Sequence, residues 1–407
     1  VLEVPNREPP FRLDMLGWYV MRYSDDGGAT WSDRTRLPVP LTQVDARSTF
    51  GGRAQMLWCI SKPVVHEGTV LLPFTKIGRH LVGRTEGWIL ASENLLTEAD
   101  PERHVWRLLP DGGDVPERAW RGIRSDANFG DVQAEHHLVR LGDSGALAVF
   151  YRTDRGLIAW ARSHDGGESW TEPEAVRYPD GSPVRNPRAN VKVWHTGADR
   201  FLMWFHNHGG TDFQDRNPAW ISAGVLDGEM IRWSQPEVLL YHPSADIRIS
   251  YPDLIERDGR YWIVQAHKEA ASVSLIDDAL LAGLWSQHGA ARSPVERLTA
   301  GSFGDRFDSD RTTDHLSIEL LIDGRSLLAG SDLASCAAEG GGWTVRSLED
   351  GVLQVELRDG ETGFVLQSEA GTITPNRAHR VVFLVDGLAD LAMVVADGRL
   401  QDGAGVR

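Results

Sequence analysis

The stretch Ser24-Asp25-Asp26-Gly27-Gly28-Ala29-Thr30-Trp31 occurs a second time in this chain, as Ser163-His164-Asp165-Gly166-Gly167-Glu168-Ser169-Trp170. Both copies follow the pattern Ser-x-Asp-Gly-Gly-x-Ser/Thr-Trp, and each predicts a tight turn. The aspartate can accept backbone N–H bonds across the turn, the glycines supply positive φ, and the tryptophan packs under the hairpin. Because so particular a turn is used twice, the sequence predicts a repeated structural unit.

Hairpin patterns recur between and after these turns. Each has a polar cluster, an apolar strand, a glycine turn, a second apolar strand and another polar cluster, which is typical of a β-hairpin. The four segments cover residues 61–76, 135–152, 190–208 and 251–268. Their period of about 55–75 residues suits four-stranded blades with loops of variable length. We therefore predict an all-β protein that begins with a six-bladed β-propeller, five blades of which are visible. Residues 1–40 would form a first blade without its inner strand, and one short helix is predicted over residues 275–286.

The strand pattern changes after about residue 300. Residues 315–325 alternate apolar and polar side chains as a sandwich strand does. Residues 379–399 contain two apolar strands that each end in Asp-Gly, which resembles the core of laminin-G and concanavalin-like β-sandwiches. We predict a propeller domain over residues 1–295 and a β-sandwich (jelly-roll) domain over residues 300–407 that is truncated here. The sandwich either binds sugar or is purely structural.

Composition limits the classes of partner. The 407 residues carry a net charge of −16, which argues against nucleic acid and anionic membranes as partners. No apolar run approaches the roughly 20 residues of a membrane span. Cys59 and Cys336 fall in different predicted domains, so we expect two buried free thiols. The chain has no initial methionine and no signal-peptide pattern, and it looks cut at both ends. The sequence therefore leaves open whether a signal peptide has been removed, and a secreted or periplasmic location is favoured.

Polar clusters are expected at one end of the predicted ring. In a four-stranded meander, the starts of the inner strands and the ends of the second strands lie on one face, opposite the glycine turns. Polar or ionisable residues stand at this face in four successive blades, which favours a functional funnel over ordinary loop residues. The predicted substrate-binding residues are Lys62, Arg152, Arg188, Asn190, His208, Arg216, Asp253 and Lys268.

The two repeated turns resemble the Asp-box of sialidases, and the resemblance covers about residues 1–290. It implies a glycosidase with a tyrosine nucleophile activated by a glutamate, an aspartate acid/base and arginines that bind the substrate carboxylate. Glu135 stands at the start of an inner strand with Arg152 across a glycine turn, and Arg216 precedes a third strand, as in the family. Tyr251 fits the place of the nucleophile, and Asp14, ahead of the first Asp-box, fits that of the acid/base. The first arginine of the family's triad would precede residue 1.

Three functions remain open on these residues. The leading interpretation is an exo-acting glycoside hydrolase that releases a terminal acidic, sialic-acid-like sugar from a glycan. The second is a polysaccharide lyase on uronate-containing glycans, because His136, His206 and His208 add candidate bases, with His208 or Tyr251 as the base itself. The third is a non-catalytic glycan-binding propeller. His206 and His208 have a spacing that suits a metal pair, but no third ligand is evident, so no metal and no cofactor is predicted.

Overall fold

The computed structural model describes two stretches of the chain. These are residues 18–289, except 49, 79–83, 125–128, 143–144, 180, 212, 243, 245–246 and 268–269, and residues 315–401, except 339–340, 360–361, 387–390 and 398. Contacts divide the chain into two compact units, Val1–His288 and Gly289–Arg407. Both units are built from antiparallel β-sheets, so the all-β fold class is confirmed. The assignment of a function to each domain stays a prediction.

The described part of the first unit contains five successive antiparallel sheets, in which most neighbouring strands follow the order of the chain. Strands β4 and β16 are added to the second and fourth sheets by pairing with β5 and β14. The strands are β1 (Val20–Met21) and β2 (Thr35–Arg36); β3 (Leu57–Trp58), β4 (Val64–His66), β5 (Thr69–Ile77), β6 (Thr85–Ser92) and β7 (Arg107–Leu109); β8 (Ala134–Leu141), β9 (Ala146–Arg152), β10 (Ile158–Ser163) and β11 (Glu174–Ala175); β12 (Lys192–His195), β13 (Arg200–Phe205), β14 (Ala219–Asp227), β15 (Met230–Trp233) and β16 (Glu237–Leu240); and β17 (Asp253–Arg257), β18 (Arg260–His267) and β19 (Ala270–Leu275).

Successive sheets pack face to face, as the blades of a propeller do. Ile89 of the second sheet shares one core cluster with Val149 of the third, and Leu202 of the fourth shares another with Ile263 of the fifth. Strands that lie between two packed sheets are buried on both faces for this reason, and all seven residues of β9, the second strand of its hairpin, are buried. The predicted hairpins are therefore confirmed as β4–β5, β8–β9, β12–β13 and β17–β18. A sixth blade stays a prediction.

The two Asp-box turns have the same hydrogen bonds. In the first, Asp26 Oδ1 accepts from Ser24 Oγ at 2.8 Å and from Thr30 N at 2.9 Å, and Trp31 Nε1 donates to Gly28 O at 3.1 Å. Bonds from Thr30 and Ser24 lower the pKa of Asp26 to about 2.

The second turn repeats this pattern with Asp165 in the place of Asp26, and Trp170 Nε1 donates to Gly167 O at 3.1 Å. Trp170 packs against a core cluster as predicted, whereas Trp31 is 56% exposed and lies over its own turn.

Helices are few and short in the described residues. Helix α1 spans Gln43–Ala46, and α2 spans Asp278–Ser286, which confirms the predicted helix. Asp277 caps α2 by accepting a hydrogen bond from Ala279 N at 2.6 Å, and Leu281 and Leu284 are buried in the core. Three-residue 3-10 turns occur at Pro101–Arg103, Glu117–Ala119 and Glu349–Gly351. No helix in the described residues is long and apolar enough to cross a membrane.

The described part of the second unit contains two four-stranded sheets that share a core. Phe383 and Val394 of one sheet lie in the same apolar cluster as Trp343 and Val355 of the other. The strands are β20 (His315–Asp323), β21 (Asp332–Ala338), β22 (Gly341–Ser347), β23 (Leu353–Asp359), β24 (Thr362–Gln367), β25 (Ala378–Asp386), β26 (Leu391–Ala396) and β27 (Arg399–Leu400). Their orders are β20-β25-β26-β27 and β21-β22-β23-β24. The laminin-G likeness and the truncation stay predictions. Cys59 and Cys336 are both free, but each is only partly buried.

Candidate active site

Glu135 lies in a β-bulge at the start of β8. Ala134 pairs with Arg152 and His137 pairs with Phe150, so two residues of β8, Glu135 and His136, stand opposite one residue of β9. Glu135 has a φ of 61°, and its N–H donates to Thr75 Oγ1 of the preceding sheet at 3.0 Å. The bulge turns the Glu135 side chain into the interior, where the residue is 1% exposed.

An ion pair and an amide hold the Glu135 carboxylate from both sides. Arg152 Nη1 lies 2.9 Å from Oε1, and Asn190 Nδ2 donates to Oε2 at 3.2 Å. Arg152 is the last residue of β9, and Asn190 lies just before β12 in the next sheet. The contact between residues 135 and 152 confirms that the start of the inner strand and the end of the second strand meet at one face.

Two buried arginines converge on one backbone carbonyl. Arg152 Nη1 donates to Arg188 O at 3.3 Å, and Arg216 Nη2 approaches the same oxygen at 3.5 Å. The remaining donors of Arg216 reach Phe213 O at 2.8 Å and Ser250 Oγ at 3.1 Å, so its partners among the described residues are all neutral. Each of the two arginines is 5% exposed. A guanidinium that is buried without a carboxylate is suited to bind an anion.

Tyr251 lies beside Arg216. The guanidinium carbon of Arg216 is 5.6 Å from the centroid of the Tyr251 ring. Tyr251 has a φ of 51°, in the left-handed region, and it precedes Pro252. Such a backbone conformation costs on the order of 1–3 kcal/mol in a residue other than glycine and concentrates at functional sites. Glu135 and Tyr251 both stand at the start of an inner strand and both have this conformation.

Lys192, the first residue of β12, is a further candidate site residue that the sequence analysis did not name. It is 5% exposed, and its Nζ donates to Ile60 O. Burial lowers the pKa of Lys192 to about 8, although the nearby carboxylates of Glu135 and Asp253 oppose this shift. The available signal was that Lys192 stands near the start of an inner strand, as Glu135 and Asp253 do. Asp253 also forms an ion pair with Lys62, and this pair is more exposed than the arginines.

The histidines of the funnel are held by backbone and ring contacts. His136 stacks on Tyr151 with a centroid distance of 4.4 Å, and His206 Nδ1 lies 3.1 Å from Pro218 O. Burial lowers the pKa of both His136 and His206 to about 3, so both are neutral at physiological pH. His208 Nε2 lies 2.6 Å from Asp215 O, and its Nδ1 accepts from Gly210 N at 3.3 Å. Both ring nitrogens of His208 are therefore engaged within its own loop.

The structure connects most of the predicted residues through shared contacts. The chain of contacts comprises Asn190, Glu135, Arg152, the Arg188 carbonyl, Arg216 and Tyr251. Lys62 and Asp253 form their own pair, and both ring nitrogens of His208 bond within its own loop. Asp14 and Lys268 lie outside the described residues. Among the residues that the structure describes, no group of three or more His, Cys, Asp or Glu side chains could hold a metal ion.

Known proteins have sequences and folds that are similar to this chain. The anhydrosialidase of Macrobdella decora is 27% identical over 234 residues, which are 49% of this chain and 27% of the relative. The chain thus spans about a quarter of the length of this relative.

Three solved structures are similar to the chain at lower identity. The leech intramolecular trans-sialidase complexed with 2,7-anhydro-Neu5Ac is 17% identical with a TM-score of 0.42, and the match covers 65% of this chain and 37% of that one. The intramolecular trans-sialidase of Ruminococcus gnavus is 19% identical with a TM-score of 0.41, over 64% and 50% of the two chains. Trypanosoma rangeli sialidase is 13% identical with a TM-score of 0.38, over 95% and 69%.

The match to a family is more extensive. Residues 13–263 match the family described as BNR repeat-like domain. This range includes both Asp-boxes and every residue of the contact chain from Glu135 to Tyr251. Because it covers more than half of the 407 residues, the chain belongs to the sialidase-like BNR repeat family.

Proposed function

We propose that this protein is an exo-acting glycosidase of the sialidase type that releases a terminal acidic sugar from a glycan. One observation carries the proposal. Arg152 and Arg216 are buried side by side on the Arg188 carbonyl, next to Tyr251, and the partners of Arg216 among the described residues are neutral. The name of the Macrobdella decora relative supports the same class of substrate.

The charges of the site favour an anionic ligand. Burying a cation without an opposite charge costs several kcal/mol, and a substrate carboxylate would repay that cost at Arg216. A planar guanidinium can bind a carboxylate through two parallel hydrogen bonds, which fixes the orientation of the sugar as well as its charge. Arg152 is partly neutralised by Glu135, so we expect Arg216 to contribute more to carboxylate binding.

A tyrosine nucleophile suits a substrate that carries its own carboxylate. A neutral hydroxyl is not repelled by the sugar, whereas an aspartate nucleophile would be. In the proposed reaction the Tyr251 oxygen attacks the anomeric carbon and gives its proton to Glu135, while the bond to the leaving oxygen breaks and Asp14 protonates that oxygen. Water then attacks the anomeric carbon, giving its proton to Asp14, and the tyrosine leaves and takes its proton back from Glu135.

The remaining predicted residues are proposed to bind sugar hydroxyls and the outer parts of the glycan. Asn190 orients Glu135 by its bond to Oε2. Lys62 and Asp253 form an ion pair that is accessible enough to exchange its partners for sugar hydroxyls. Arg188, His208 and Lys268 complete the proposed set, and the last of these lies outside the described residues.

The test is turnover of a fluorogenic sialic acid glycoside by Tyr251→Phe. We expect kcat to fall by about 10³-fold or more, because the nucleophile is lost while the ring and the backbone conformation are kept. Tyr261→Phe is the matched control, since Tyr261 donates its hydroxyl to Thr196 O at 3.3 Å outside the contact chain. Its activity should stay within about twofold of the wild type. Undiminished activity of Tyr251→Phe would exclude the assigned nucleophile. Mass spectrometry of the product distinguishes free sialic acid from an anhydro sugar that is lighter by one water.

The two alternatives give different readouts with the same protein. A lyase would produce an ultraviolet-absorbing C=C bond from a uronate-containing glycan and release no fluorophore. A binding propeller would retain acidic glycans without turning any over, and Asp14→Asn would not change that binding. The engagement of both His208 nitrogens within its loop gives no support to His208 as a lyase base.

A further inference from the structure

A cavity of about 620 Å³ in the first unit is lined by none of the residues of the proposed reaction. This volume is within the range of small-molecule binding pockets. We name it the arginine cavity, because its lining includes four arginines together with two carboxylates. These residues are Arg47, Arg84, Arg121, Arg124, Glu86 and Asp131.

The arginines that line the arginine cavity outnumber its carboxylates, four to two. Among the described residues, Arg47 and Arg84 form no ion pair, and Arg121 donates through Nε to the neutral Gln43 Oε1 at 3.1 Å. Glu86 is 3% exposed, and burial raises the pKa of its carboxyl, against the opposing effect of Arg124 and Arg121. The excess of positive charge indicates a site for an anion rather than for a cation or an apolar group.

The walls of the arginine cavity are fixed by hydrogen bonds. Glu86 Oε2 accepts from Gly122 N at 3.1 Å, Gly78 N donates to Arg84 O at 2.7 Å, and Thr85 N donates to Asp131 O at 3.2 Å. These bonds tie the end of β5, the start of β6 and the segment before β8 together. A ligand would therefore meet a preformed backbone and order only the arginine side chains.

The arginine cavity is lined by residues at the same end of the strands as the candidate active site, since Gly78 follows β5 and Asp131 precedes β8. Asp131, in its lining, precedes Glu135 by four residues, so their Cα atoms lie at most about 14 Å apart even if the chain is fully extended. Thr75 Oγ1 accepts from the Glu135 N–H on one face of β5, and the next residue, Lys76, pairs with Glu86 on the opposite face, so the site and the arginine cavity flank the end of one sheet. Two neighbouring sugars of one glycan can span such a distance.

We propose that the arginine cavity is a second anion subsite, which binds the acidic group of the sugar next to the one that is cleaved. The preferred substrate would then be a glycan with two consecutive acidic sugars. This inference rests on the proposed function, because it assumes that the first acidic sugar occupies the site of Arg152 and Arg216.

The test is isothermal titration calorimetry in the Tyr251→Phe background, which prevents turnover of the ligand. Two probe pairs are compared, α2,8-linked disialic acid with sialic acid and digalacturonic acid with galacturonic acid. We expect the protein to bind one disaccharide at least about tenfold more tightly than its monosaccharide, and Arg47→Ala/Arg84→Ala to lose this preference. Arg140→Ala is the matched control, since Arg140 is an exposed arginine near the other end of β8.

The outcomes separate this inference from the proposed function. A double variant that keeps the disaccharide preference, or a protein without such a preference in either pair, would overturn the subsite. Turnover of the fluorogenic sialoside, which carries a single acidic group, should be unchanged in Arg47→Ala/Arg84→Ala. If the wild type leaves this sialoside intact but still prefers a disaccharide through Arg47 and Arg84, the proposed function fails and the second subsite stands.

Discussion

Removing Arg152 should destabilise the first unit, because it would leave the Glu135 carboxylate buried without its cation. The side chains of Arg152 and Glu135 are 7% and 0% exposed, so water can replace little of the lost ion pair. Breaking a buried pair by removing one partner costs about 3–5 kcal/mol. The hydrogen bond from Asn190 to Oε2 persists in the variant, and Lys192 lies nearby. We therefore expect Arg152→Ala to lose about 3 kcal/mol of unfolding free energy, the lower end of that range.

A second variant separates the charge effect from the loss of packing. In Glu135→Gln/Arg152→Ala both charges are gone, and the cost that remains comes from the missing arginine stem and from altered hydrogen bonds. We expect this double variant to be more stable than Arg152→Ala by about 2 kcal/mol, since the unpaired charge is the larger part of the loss. Such a gain from a second substitution is a coupling that packing alone does not produce.

Urea unfolding monitored by tryptophan fluorescence measures both variants. Every tryptophan except Trp343 lies in the first unit, so the signal reports on the unit that contains the pair. Equal stability of Arg152→Ala and Glu135→Gln/Arg152→Ala would refute the reasoning, because it would mean that the Glu135 charge is not confined by burial. A loss below about 1 kcal/mol for Arg152→Ala would lead to the same conclusion, since that is the range of exposed ion pairs.

Three further predictions concern stability. The wild type should gain unfolding free energy at alkaline pH, and Lys192→Met should remove this gain. The reason is that the folded chain releases the Lys192 proton at about pH 8, whereas the unfolded chain keeps it until about pH 10.4. The wild type should therefore gain up to about 3 kcal/mol relative to the variant between these values in urea titrations, and parallel curves would contradict this. His206→Gln should lessen the loss of stability between pH 7 and pH 5, because only the unfolded chain binds a proton at His206 below about pH 6.5. An equal loss of stability in the wild type and in His206→Gln would disprove this prediction. Asp165→Ala should cost about 1–2 kcal/mol and Asp26→Ala less, because only the second turn packs against the core residues Ile89 and Leu109. A larger loss of stability for Asp26→Ala than for Asp165→Ala would contradict the idea that packing against the core decides the cost.

The meeting of Glu135 and Arg152 was predictable because it follows from hairpin connectivity. Two antiparallel strands joined by a short turn return the second strand to the level where the first began, whatever side chains they carry. The register places Ala134 opposite Arg152, and the neighbouring carboxylate then lies within reach of the guanidinium. The prediction that depends only on this connectivity is confirmed for Glu135 and Arg152.

The bulge at Glu135 was not predictable, because contacts from other strands impose it. No glycine marks the position, and a glutamate with a φ of 61° is unfavourable by itself. The conformation is held by the bond of the Glu135 N–H to Thr75 Oγ1 and by the stacking of His136 on Tyr151. Lys192 was missed for a related reason. From the sequence alone, a lysine at the start of a strand is expected to be exposed to solvent, and only the packing of the sheets shows that this one is buried.

Buried cations inside an acidic chain explain how an acidic ligand could be bound despite a net charge of −16. Repulsion from surface carboxylates that lie farther away than the Debye length, about 8 Å at physiological ionic strength, is largely screened. Arg152 and Arg216 are 5% exposed, so salt screens their attraction for a bound carboxylate much less. Arg216 is also held in place by Phe213 O, Ser250 Oγ and Arg188 O, so it needs no internal carboxylate that a ligand would have to displace. The neutral partners of Arg216 thus keep the guanidinium both oriented and uncompensated, which is the combination that a carboxylate site requires.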